Sequence, residues 1–186
     1  MRKFSFLSIC FSALILISSC TKEKVPPPVN PPQEQPPTVR YSEWTESSTM
    51  AWQDTSVSGE PSLRSVWDVP GLTQSVIDNG ALLVYARTNS DANVRIFPAI
   101  VFNNSDFESY INLSSVGSFE MWHSKSVNGV FEMPSVSNDV SFRYIFFENA
   151  PPANARIATG SAAGLNMDDL KSMTYQDVAM LLGIPN

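Results

Sequence analysis

Beyond residue 65 the chain is built from short runs of large apolar residues broken by Asn-, Ser-, Asp- and Gly-rich stretches, the pattern of strands and tight turns. Val66-Trp67-Asp68-Val69 is a short β-rich run, and Ala81 to Arg87 is almost continuously apolar, as in a strand covered on both faces. Val94 to Phe102 is predicted as the next strand, after the turn-like Asn89-Ser90-Asp91-Ala92-Asn93. Phe107 to Leu113 alternates apolar and polar residues after Asn103-Asn104-Ser105-Asp106. Phe119 to Ser124, Val130 to Met133 and Val140 to Glu148 complete the set. Asn128-Gly129 marks a hairpin, because both residues tolerate the positive φ of a type I′ turn. In the last strand Val140, Phe142, Tyr144 and Phe146 share one face while Ile145 and Phe147 occupy the other, which predicts a central strand.

Two segments follow a helical pattern. Pro70 to Gly80 puts Leu72, Val76 and Ile77 on one face and ends at a glycine suited to a C′ position. Thr174-Tyr175-Gln176-Asp177 offers an N-cap threonine with a carboxylate three residues on. Val178, Leu181 and Leu182 then form an apolar face, Gly183 stops the helix, and Pro185 prevents its resumption. Asp168-Asp169, just before Leu170, fits a solvated turn or a helix start. The expected fold is mainly β: an antiparallel β-sandwich with a short internal helix and a short C-terminal helix, in one domain over residues 38–186.

The N-terminus has a different organisation. Arg2 and Lys3 precede an apolar run from Phe4 to Ile17, which is shorter than the roughly 20 residues of a spanning helix. With two small residues and a cysteine after it, residues 1–19 read as a signal peptide. Ile17-Ser18-Ser19-Cys20 resembles the lipobox of bacterial lipoproteins. That resemblance implies cleavage before Cys20 and lipidation of its sulfur, with palmitate among the acyl chains. The protein would be anchored to a membrane through the Cys20 lipid, as an outer-membrane lipoprotein facing the periplasm or the cell surface. One acyl chain gives only marginal membrane binding, so the two or three chains of such proteins are what make the anchor stable. Residues 20–37 continue as a charged Thr21-Lys22-Glu23-Lys24 patch and a proline-rich linker holding seven of the chain's 14 prolines. Such a run excludes helix and central strand and favours an extended polyproline II spacer, roughly 40 Å long at about 3.1 Å per residue.

Composition narrows the chemistry. The formal charge is −6, and loss of Arg2 and Lys3 with the signal peptide makes it −8. An acidic chain without basic clusters is a poor partner for nucleic acid. With Cys10 removed and Cys20 lipidated, neither a disulfide nor a cysteine-held metal is expected, and no cofactor motif is present. Gly160-Ser161-Ala162-Ala163-Gly164 lacks the Lys-Ser/Thr that would make it a phosphate loop. The Asn/Asp stretches at 89–91 and 103–106 do not match a calcium-loop spacing and fit turns. No catalytic or metal residue is therefore assigned, and the chain is read as a non-enzyme.

His123, the lone histidine, should share a strand face with Phe119 and Met121 as a structural residue. An enzyme would need His123, or a pair among Glu108, Glu120, Glu132 and Glu148, converging in a cleft. Trp44, Trp52, Trp67 and Trp122 are many tryptophans for one domain. Trp122 should face away from His123, and if Tyr110 lay beside it on an open sheet the two could form a ligand platform for sugar rings.

Val69-Pro70, Leu72-Thr73-Gln74, Val76 to Ala81, Leu83-Val84-Tyr85, Phe142-Arg143-Tyr144 and the ending from Leu170 to Pro185 together resemble small uncharacterised lipoproteins of Bacteroidota-like bacteria. The likeness covers most of Val66 to Pro185 and implies no reaction. The expectation is a lipid-anchored envelope protein whose sandwich is a non-catalytic structural or protein-interaction module, with a glycan-binding accessory role as the alternative. A protein partner predicts a contiguous exposed apolar patch or an unpaired sheet edge; a glycan predicts two or more exposed coplanar aromatics.

Overall fold

The computed structural model describes residues 37–89, 91–103, 106–136, 138–149, 151, 155–157 and 160–185. The expected signal peptide, Cys20 and nearly all of the linker lie outside them. The described chain is a mainly β domain of two antiparallel sheets with three short α-helices. In order come β1 (Thr38–Tyr41), β2 (Thr45–Glu46), a 3-10 turn (Ser47–Thr49), β3 (Trp52–Val57), β4 (Glu60–Asp68), α1 (Gln74–Asp78), β5 (Leu82–Thr88) and β6 (Asp91–Ile96). After them come β7 (Ala99–Asn103), β8 (Asp106–Ser115), β9 (Ser118–Val127), β10 (Val130–Glu132), β11 (Val140–Glu148), α2 (Met167–Ser172) and α3 (Tyr175–Leu182).

The first sheet runs β1-β11-β5-β6, with β2 also on β11. The second runs β3-β4-β9-β8-β7, with β10 also on β9. The two pack through aromatic side chains: Tyr144 of β11 meets Trp67 and Phe119, and Phe142 meets Trp52, Phe97 and Tyr110. The opposite face of the first sheet is also covered. Tyr175 of α3 lies edge-on to Tyr85, and Met167, Leu170, Val178 and Ala179 of the helices are buried in the same core. Coverage on both sides is why β5 is nearly all apolar and β11 carries large residues at successive positions.

The predicted strand over Val94 to Phe102 is two strands in different sheets. Phe97 donates its N–H to Val84 O at 2.8 Å, and Pro98, which has no N–H for a ladder, follows through a cis peptide. The chain crosses from one sheet to the other at this point, with Phe97 buried between them. The internal helix is shorter than Pro70 to Gly80, and begins only after Thr73, whose hydroxyl accepts the Val76 N–H. A third helix, α2, starts at Met167 with Asp168 and Asp169 in its first turn, capped reciprocally by Asn166 and Asp169. Thr174 caps α3 and Gly183, at φ 66°, ends it. Asn128 and Gly129, at φ 50° and 79°, form the expected turn between β9 and β10.

Edge strand β1–β2 has a bulge. Tyr41 pairs with Ile145 and Thr45 with Phe142, so three residues, Ser42, Glu43 and Trp44, stand opposite Arg143 and Tyr144. The bulge sets Trp44 edge-on to Tyr175 at 5.2 Å, with the Arg87 guanidinium 4.3 Å from its ring centre.

Candidate functional site

The second sheet is covered on its inner face, while its outer face is closed over only at the end that holds Ser62 and Ser126, beside Phe107 and Phe131. Its inner residues, among them Leu63, Ser65, Tyr110, Phe119, Met121 and His123, are buried against the first sheet. Its outer face follows from the register: Arg64 opposes Trp122, which opposes Ile111, and Val66 opposes Glu120, which opposes Leu113. Ser109 and Ile100 oppose one another on the β8–β7 pair of the same face. Four aliphatic side chains on this face are open to solvent: Ile100 at 57%, Leu113 at 54%, Val66 at 46% and Ile111 at 36%. They are cross-strand or diagonal neighbours of Trp122 and of one another, so they form one patch.

A polar cluster fixes the middle of the patch. Arg64 Nε donates to Glu120 Oε2 at 2.8 Å, and Arg64 Nη2 donates to Glu120 Oε1. Trp122 Nε1 donates to the same Oε2 at 3.1 Å. The guanidinium carbon is 5.9 Å from the indole centre. The Arg64 hydrogen bonds hold the Glu120 carboxyl below its ordinary pKa, with the Arg64 charge and Trp122 adding to the effect against some desolvation. Glu120 is thus an ionised acceptor that orients both an arginine and a tryptophan, residue types prominent in protein-binding hot spots.

Tyr110 is not beside Trp122. It opposes His123 and is 7% exposed on the inner face, stacked on the imidazole at 4.3 Å between ring centres. The expected Trp122–Tyr110 platform therefore does not form. Each residue's face within its own strand follows from alternation, but the register between β8 and β9 sets Ile111, not Tyr110, opposite Trp122. Trp44, Trp52 and Trp67 pack against the core. Phe107 and Phe131, further along the outer face, meet at 85° and are not coplanar.

His123 does have a carboxylate neighbour, as enzymatic use would require. Its Nε2 is 3.3 Å from Glu108 Oε2, although not aligned for a regular hydrogen bond, and Tyr110 OH donates to that same oxygen at 2.9 Å. The contact with His123 is the largest influence lowering the Glu108 pKa, and Tyr110, His123 and Lys125 reinforce it against desolvation. Burial first, then Glu108, pushes the Tyr110 phenol up and keeps it neutral. No serine hydroxyl is bonded to His123 among the described residues. The other carboxylates do not converge on it: Glu120 is on the opposite sheet face, Glu148 pairs with Arg40 at 3.2 Å, and Lys125 lies between Glu108 and Glu132 in the ladder. Among the described residues no group of three His, Cys, Asp or Glu could hold a metal. Of the Asn/Asp stretches at 89–91 and 103–106, residues 90, 104 and 105 lie outside the described set, and Asp106 Oδ1 accepts the Asn128 N–H at 2.9 Å.

The residue with no forewarning in the pattern is Arg143, buried to 1% exposure on the helix side of β11. Its Nε donates to Ser42 O at 2.8 Å, and its Nη1 donates to Pro185 O at 2.6 Å and to the Tyr175 hydroxyl. Nη2 is 3.5 Å from Glu43. These partners are the edge bulge, α3 and the segment after it, so Arg143 acts as a structural tie. A cleft of about 320 Å³ lies beside β1, between Tyr144 and Phe146 on one side and Val69-Pro70-Gly71 on the other. Its charged groups, Arg40 and Glu148, are paired with each other.

The architecture is a two-sheet antiparallel sandwich with helices over one sheet and a largely open outer face on the other. No family model, curated protein or solved structure matches the chain.

Proposed function

We propose that this chain is a lipid-anchored protein of the bacterial envelope, held in the outer membrane through Cys20, whose sandwich acts as a non-catalytic protein-interaction module. The single observation that supports the interaction role most is the aliphatic patch on the bare face of the second sheet. An apolar sheet face without a covering layer is uncommon in a monomeric domain and marks a contact surface. The first sheet, covered by α2 and α3, offers no equivalent. A glycan role would rest on Trp122 without a coplanar aromatic beside it, which makes the protein reading the stronger one.

Two substitutions in the full chain test the two halves. Cys20→Ser should abolish incorporation of a palmitate analogue and release the protein from the membrane fraction; retention with label would refute the anchor. Leu113→Asp alters an exposed position, so stability should change by no more than about 0.5 kcal/mol. It should nevertheless remove the protein from any larger complex in gently solubilised envelopes. An unchanged complex would refute the contact face.

A further inference from the structure

Charge around the bare face specifies its partner, an inference that rests on the contact-surface reading above. Residues of even number in β4 share the outer face, and so Glu60 and Asp68 stand at the two ends of the row that includes Arg64 and Val66. Both are exposed, and neither carboxylate has a cation at ion-pair distance among the described residues. Arg64, the one cation in this row, is committed to Glu120 through two hydrogen bonds. Between the two carboxylates lie buried Ser62, the Arg64–Glu120 pair and exposed Val66, so the centre carries no net charge and is flanked by two negative charges without an ion-pair cation.

Eight residues at about 3.3 Å each separate Glu60 from Asp68 by about 26 Å. A standard protein interface buries about 800 Å² per partner, a patch roughly 28 Å across. The two carboxylates thus bracket an area of ordinary interface size, at the rim, where charge governs orientation and encounter rate more than affinity. We infer that the bare face docks a protein surface with an aliphatic or aromatic centre and basic residues at opposite sides of its rim. A second copy of this acidic chain would bring like charge to the rim, and a partner with an acidic rim would be repelled likewise.

The test uses the full chain in the cells that make it, with the photoreactive amino acid p-benzoylphenylalanine at Leu113. After irradiation the adduct is purified and the cross-linked peptide of the partner is sequenced. The inference expects an adduct to a surface containing lysine or arginine. Its yield should fall at least five-fold with Glu60→Lys and Asp68→Lys together, and by an intermediate factor with Glu60→Gln and Asp68→Asn. Circular dichroism of the variants should be unchanged, since both positions are exposed. An adduct whose yield ignores charge reversal, or whose partner surface is acidic or is this same chain, overturns the basic-rim partner while leaving the contact face intact. No adduct from Leu113 overturns both.

Discussion

Arg143 and His123 are buried polar side chains whose contacts reach across separate parts of the fold. Arg143 is surrounded by acceptors that belong to three different parts of the chain, Ser42 O, Pro185 O and the Tyr175 hydroxyl. Removing it leaves the buried Tyr175 hydroxyl and the partly buried Ser42 carbonyl without their donor and empties a fully buried site, and unsatisfied buried groups are costly. Arg143→Ala should therefore lower unfolding stability by about 3 kcal/mol, measured by urea denaturation; a loss below about 1 kcal/mol would mean that solvent replaces the tie. Glu108 carries a pH signature. Its pKa is lowered in the folded protein by the contact with His123 first, so folding is favoured by its ionised form. That contribution is present above the unfolded value of 4.5 and is lost as pH falls through the lower folded value. Between about pH 5 and about pH 3 the native protein should lose more stability than Glu108→Gln does. Parallel acid limbs for the two proteins would contradict the assignment.

At the scale of elements, legibility followed burial. β5, β9 and β11 stand out in the sequence because each packs at least one face against the core, so their apolar positions are dictated by the period of the strand. β3 is a six-residue edge strand, Trp52–Val57, with three exposed positions and no clean alternation, and nothing in its composition announces it. β1 and β2 are too short for a pattern, and the bulge between them interrupts what little there is. The pairing of strands was beyond reach for a different reason. Alternation assigns each residue to one of two faces, but only tertiary contacts say which faces coincide, so whether Tyr110 lies beside Trp122 is settled by the β8–β9 register alone. Arg143, set in the apolar run Phe142 to Phe147, has no local feature to separate a buried tie from a solvated charge. Helix ends were more legible because caps are local chemistry. Thr174→Ala removes the hydroxyl that accepts the Asp177 N–H, and should cost about 1 kcal/mol in thermal or urea unfolding. A neutral result would show that α3 is held by Tyr175, Val178 and Ala179 alone.

For the whole molecule, one end of the sandwich is defined by the start of β1. Thr38 pairs with Glu148, Gly71 lies against Phe146, and Gly117 is bonded to both Val69 and Leu72, so these segments share that end. The turns at Ser58-Gly59 and Asn128-Gly129 lie at the other ends of their strands. The bare face extends along the strands between the two ends, where a protein standing beside this one could meet it. Photocross-linking over the surface tests whether the bare face meets a partner. Probes at Ile111, Leu113 and Val66 on the bare sheet would be compared, in the full chain and in intact cells, with one at Met180 on the exposed side of α3. Adducts to one partner are expected from the three sheet positions and none to it from Met180. Adducts from Met180 at equal yield, or none from the sheet, would contradict that expectation.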